Sequence, residues 1–221
     1  MAAIQQIIRP LNEKERRLLN AALAWRKRRL EVLRCGVVFF SLIFFIIFAG
    51  AIIVATTLDK KGPAWYYCCL FAAVITFPIS LWSYLDLKAE FIADVRLVEN
   101  ALLRNEACVI RIQATAMVEF EEEEDEGACY AFQLDEGQMI FISGQDFYPS
   151  AKFPNSDFSI VNIYADDEQL VESLMEKHGH KLEAVRKISS RTKSGMNIPD
   201  NLEIVEGELI QIEEILAANR N

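Results

Sequence analysis

Two stretches of this 221-residue chain, Cys35 to Leu58 and Gly62 to Leu85, lack any charged side chain over 24 residues each. That absence excludes a solvated amphipathic helix for either stretch, because such a helix needs a polar face. The chain also lacks a CxxC pair, an HExxH run, a glycine-rich phosphate loop and a GxSxG elbow, since Ser143-Gly144 is not preceded by the required glycine. Zinc-ribbon, zinc-protease, P-loop and common serine-hydrolase chemistry are thereby excluded. Histidine is scarce, with only His178 and His180 on either side of Gly179. That spacing can place two imidazoles on one side of an extended chain, but no third ligand accompanies them, so neither a metal nor another cofactor is expected. The five cysteines show no zinc-like spacing and read as free thiols of a reducing compartment.

What the chain does have is length in its apolar stretches. A hydrocarbon core of roughly 30 Å needs about 20 helical residues, so each stretch is long enough to cross one with some tilt. Trp65, Tyr66 and Tyr67 at the start of the second stretch, and Trp82 and Tyr84 at its close, are interfacial residue types. The expectation is therefore a lipid-embedded, multi-pass membrane protein with two transmembrane helices, 35–58 and 65–85, joined by a short extracytoplasmic loop, 59–64. Nine basic residues precede the first stretch and only Lys60 and Lys61 lie in the loop, which predicts cytoplasmic termini. Arg26, Lys27, Arg28 and Arg29 are candidate contacts for anionic lipid. Ala51 and Ala55, with Ala72, Thr76 and Ser80, form small-residue stripes suited to close helix approach and to homo-oligomers through the transmembrane helices.

Charge divides the chain. Residues 1–34 hold nine basic and three acidic side chains, net +6, whereas 107–221 hold nine basic and 23 acidic, net −14. An acidic domain of that size is repelled by phosphate backbones, so nucleic acid is not an expected partner. Residues 1–34 read as a basic cytoplasmic helix. Leu87, Phe91, Val95, Val98 and Leu102 recur at helical steps and predict an amphipathic stalk over 86–106. The basic helix either packs on this stalk or lies flat along a membrane.

From about Ala107 the pattern changes to period two. Ile110, Ile112, Ala114, Ala116, Val118 and Phe120 alternate with polar residues as in a half-buried strand. An acidic turn, Glu121 to Gly127, separates it from strands at Cys129–Leu134 and Met139–Ser143, and a fourth follows at Phe158–Tyr164. Residues 166–188 fit either a helix capped by Asp167 or a β-hairpin, and Leu209, Ile212, Ile215 and Leu216 suggest a closing helix. The fold class expected is thus a membrane α+β protein, a transmembrane hairpin with helical extensions plus a small antiparallel β-rich domain over 107–221.

The acidic tip Glu121 to Gly127, the run Tyr130 to Leu134, the segment Phe141 to Gln145, the loop Phe153 to Phe158 and the final Ile198-Pro199-Asp200 together have a family likeness. This succession, over roughly 107–216, resembles the cytoplasmic domain of a family of bacterial two-transmembrane-helix membrane proteins. The resemblance implies a bacterial inner (plasma) membrane, a β-rich domain and a strand-like course after Asp166, with no catalytic residues to carry over.

The long loop from Gly144 to Asp157 is the most function-like feature, with Phe147, Tyr148 and Phe153 as candidate partner-binding residues. The competing use of these rings is to pin the loop to the sheet. With no catalytic, cofactor or metal residues to name, the functional expectation is a membrane-anchored scaffold or protein-interaction domain with a cytoplasmic protein partner. The alternatives are a membrane enzyme with an unrecognised site and, third, an oligomeric transporter or channel component.

Overall fold

The computed structural model describes residues 4–57, 64–123, 125–134 and 137–218. Two compact units divide the chain: a β unit of Met1–Pro10, Glu106–Ile163 and Glu172–Asn221, and a helical unit of Leu11–Asn105 and Tyr164–Val171.

In the helical unit, α1 (Glu13–Thr57) opens on a reciprocal cap. The Asn12 side chain accepts from the Glu15 N–H at 2.8 Å, and the Glu15 carboxylate accepts from the Asn12 N–H at 2.8 Å. Two backbone donors that a helix start leaves orphaned are thereby satisfied. The second helix, α2 (Ala64–Arg104), ends at Asn105, whose φ of 56° is a left-handed conformation that asparagine tolerates. Leu19 of α1 and Val98 and Ala101 of α2 are fully buried. Lys27 Nζ lies 2.7 Å from a Glu99 oxygen, and the Arg26 guanidinium donates to the Asp94 carbonyl at 3.0 Å. Of the two placements open to the basic helix, the packed one is observed.

The membrane expectations are corrected. Among the described residues no helix is long and apolar enough to cross a membrane, which overturns the expected transmembrane fold class, the multi-pass assignment and the inner-membrane localisation. Outside the two uncharged stretches, α1 and α2 carry charged side chains that bond between the helices, Lys27 to Glu99 and Arg26 to the Asp94 carbonyl. Residues 59–63 of the expected loop 59–64 lie outside the described residues, as do the side chains of the small-residue stripes and of Cys68 and Cys69.

The β unit holds two sheets. One has the order β1-β2-β6-β7, built from β1 (Ile4–Pro10), β2 (Glu106–Gln113), β6 (Asp157–Tyr164) and β7 (Leu170–Lys177). The other has the order β8-β3-β4-β5-β9, from β3 (Ala116–Phe120), β4 (Ala128–Gln133), β5 (Gln138–Gly144), β8 (Arg186–Ile188) and β9 (Ile204–Glu206). The single strand expected over 110–120 is two strands, because the chain passes from one sheet to the other at Ala114 and Thr115. There Ala114 N–H donates to the Ser156 carbonyl and Thr115 N–H to the Gln133 carbonyl.

Alternation along each strand sorts side chains onto two cores. Ile112, Phe158 and Ile160 of the first sheet meet Tyr130, Phe132, Ile140 and Ile142 of the second in one cluster. Cys129, Ala131, Met139 and Phe141 point the other way, and α4 (Ile212–Ala218) covers them with Ile212 and Leu216. Burying each large apolar side chain contributes about 1.5–3 kcal/mol, so these clusters dominate the stability of the unit. A short α3 (Ser190–Lys193) is capped by the Ser189 side chain. Residues 166–188 contain β7 and β8 rather than a helix, and the closing helix is present.

Candidate functional site

The loop 144–157 is pinned from within. Phe147 and Phe153 are buried, and Phe153 makes edge-on contacts with Tyr130 at 5.6 Å and Phe158 at 5.5 Å between centroids. The rings thus serve the core, as aromatic pairs commonly do. Tyr148 is the exposed member of the three candidates, and its hydroxyl donates to Glu122 at 2.6 Å. That bond raises the phenol pKa and ties the loop to the acidic tip. Gln145 ties it again through the Asp125 carbonyl, at 3.3 Å. Gly127, at φ 88°, allows this approach: a Cβ there would meet the Gly144 backbone at 2.4 Å.

The histidine pair is occupied structurally. His178 Nε2 lies 3.2 Å from Ser159 Oγ, and His180 Nδ1 lies 3.0 Å from Ser156 Oγ. Buried Asn155 orders the turn between them. Its Oδ1 accepts from the Asp157 and Gly179 N–H groups at 3.0 and 2.9 Å, and its amide donates to the Lys152 and Gly179 carbonyls. Among the described residues no group of three or more His, Cys, Asp or Glu side chains is placed to hold a metal ion.

A pocket of about 390 Å³ opens beside the acidic tip, with Glu126, Cys129, Ser143, Lys193 and Ser194 in its wall. Lys193 is nearly buried, and its ammonium lies 2.5 Å from a Glu126 carboxylate oxygen. Desolvation pushes the Cys129 thiol up to about 11, so it is protonated at neutral pH and is a poor nucleophile. The four basic residues proposed for lipid are engaged differently. Arg26 and Lys27 bond α2 as described, the Arg29 guanidinium lies 4.4 Å over the Trp25 ring and 5.4 Å from that of Phe91, and Arg28 is exposed.

The remaining feature is an edge that the sequence reading missed. β1 pairs antiparallel with β2, Ile4 opposite Ile112 through Pro10 opposite Glu106, and its other side is the border of the sheet. Ile7 and Ile8 are 52% and 65% exposed. The other borders are blunted by charge or brevity: β7 carries Glu172, Glu176 and Lys177, whereas β8 and β9 are three residues each. Ile4 to Ile8 has no charge at all.

No family model, curated protein or solved structure matches this chain. The functional reading therefore rests on its own geometry.

Proposed function

We propose that the β unit is a protein-interaction module that takes an extended segment of a protein partner alongside β1. The single observation carrying this reading is the uncharged edge Ile4–Ile8 with Ile7 and Ile8 exposed, in a unit whose other sheet borders are short or charged. An extended chain laid against such an edge gains backbone hydrogen bonds along its length, and alternate side chains supply selectivity. The organised tip, with Tyr148 and Glu122 joined, offers a polar surface but no ladder.

The test is selection of extended peptides from a displayed random library on the full-length chain. Enriched peptides should lose binding when Ile8 is replaced by proline, which removes one edge donor, while the far-ultraviolet circular dichroism is kept. Failure to enrich any peptide, or enrichment indifferent to Ile8→Pro, overturns the reading.

A further inference from the structure

We propose that the pocket between the acidic tip and α3 binds a small zwitterion, a free apolar α-amino acid, whose carboxylate accepts from Lys193 and Ser143 while its ammonium faces Glu123 and Glu126. The pocket shares no residue with β1, so this site stands or falls independently of the interaction edge.

Spare hydrogen-bonding capacity is the first ground. Lys193 is 7% exposed, yet its ammonium, with three donors, makes a single bond among the described residues, to Glu126. Charged donors held this far from bulk water call for acceptors. Ser143 of β5 stands directly opposite Cys129 of β4. By the two-residue period it lies on the face of Met139 and Phe141, which Cys129 shares. The backbone N–H of Ser143 donates to Asn201 at 3.1 Å, and its hydroxyl has no partner among the described residues. A carboxylate, with two oxygens, can accept from both the ammonium and the hydroxyl.

Charge then selects the class of ligand. Glu123, Glu126 and Lys193 bring two negative charges and one positive to the wall, and Glu121, Glu122 and Asp125 adjoin them in the chain. This surplus repels phosphate or any other net anion, whereas a simple amine or metal cation meets the Lys193 ammonium. A molecule with one charge of each sign and no net charge meets a complement at both ends.

Shape supplies the apolar body. Cys129 belongs to the second core and Met196 and Ile198 pack against it, so their surfaces in the pocket are the edge of that core. A volume of about 390 Å³ falls within the range of roughly 300–1,000 Å³ common for small-molecule sites. Both rims are fixed by the protein itself: the Ser190 N–H donates to the Glu121 carboxylate at 3.1 Å, and the Gly127 N–H to that of Glu122 at 3.0 Å. Such a site loses little freedom when a ligand enters.

Ligand-observed magnetic resonance titration of the full-length chain, in a mild detergent because of its apolar stretches, tests this. The probes are free leucine, methionine and phenylalanine, each beside its carboxylic acid without the amine and its amine without the carboxylate. At least one amino acid should bind with a Kd below about 1 mM, and its two single-charge analogues about tenfold or more weakly. Lys193→Met should weaken the amino acid by a similar factor. Because loss of Lys193 can disturb the fold, Glu123→Gln provides a readout of mixed sign: it should weaken the amino acid and strengthen the carboxylic acid, which misfolding cannot do. Absence of binding by all three amino acids overturns the proposal. So does a carboxylic acid that binds as tightly as its amino acid, or binding indifferent to Lys193→Met.

Discussion

At the scale of single residues, the β unit stores its pH response in buried acids held neutral. Desolvation raises the Cys129 thiol to about 11 and the Tyr130 phenol to about 12. A group whose folded pKa is raised stabilises the fold fully below its unfolded value, near 8.5 for Cys and 10 for Tyr, and loses that contribution as pH rises through the folded value. Chemical denaturation should therefore show stability falling between pH 9 and 12, and Cys129→Ala should flatten the lower part of that fall. Asp157 has the opposite sign: the Arg111 guanidinium, at 2.6 and 2.9 Å, lowers its pKa, so its contribution is present above about 3.9 and lost as pH falls through the folded value. The Tyr130 hydroxyl is fully buried and finds no hydrogen-bond partner among the described residues. Removing an unsatisfied buried polar atom should help, so Tyr130→Phe is expected to raise the urea midpoint, by about 1 kcal/mol of stability. Gly179 stands at the other extreme. A Cβ there would come within 2.3 Å of Ser156 Oγ and 2.7 Å of the Asp157 nitrogen, so Gly179→Ala should cost about 1–3 kcal/mol in the same assay.

At the scale of elements, the cap of α1 and the cover on the second sheet make separate contributions. Asn12→Ala removes the acceptor for the Glu15 N–H and should cost about 1 kcal/mol, read as faster amide exchange confined to the first turn of α1. Ile212→Ala opens a void under α4 where the side chain is fully buried, and should cost about 2–5 kcal/mol in urea denaturation. The strands β4, β5 and β6 were legible in the sequence because their alternation and turns agree with each other. Two elements were not. The basic N-terminal stretch 1–34 reads as one helix, with nothing in its local pattern to separate Ile4–Pro10; only pairing with β2, 96 to 108 residues on, makes that segment a strand. Likewise the alternation from Ile110 to Phe120 continues unbroken while the chain changes sheets, since a period of two does not record which partner a strand has. Of the two uses open to the loop rings, Phe147 and Phe153 take the pinning one; composition places them on a loop, and their burial depends on Tyr130 and Phe158 elsewhere in the chain.

At the scale of the whole molecule, charge is the property that the sequence states most directly, and it sets how the chain responds to salt. The β unit's ion pairs, among them Lys187 with Glu119 and Arg186 with Glu213, join side chains that are mostly well exposed. Such pairs contribute about 0–1 kcal/mol each and are weakened by salt. Against them stands a net charge of −14 over 107–221, with Glu121 to Glu126 crowded at one turn. At about 0.02 M ionic strength the screening length exceeds 10 Å and carboxylates across this unit repel one another; at about 0.5 M it falls to roughly 4 Å and only direct pairs survive. Because acidic groups outnumber basic ones more than two to one, repulsion outweighs pairing. Raising sodium chloride over that range should therefore shift the urea midpoint upward, followed by amide exchange in β4 and β5. The charge-reducing variant Glu122→Gln should diminish the salt response. A midpoint that falls with salt would mean that the pairs, rather than the surplus charge, govern the stability of the unit.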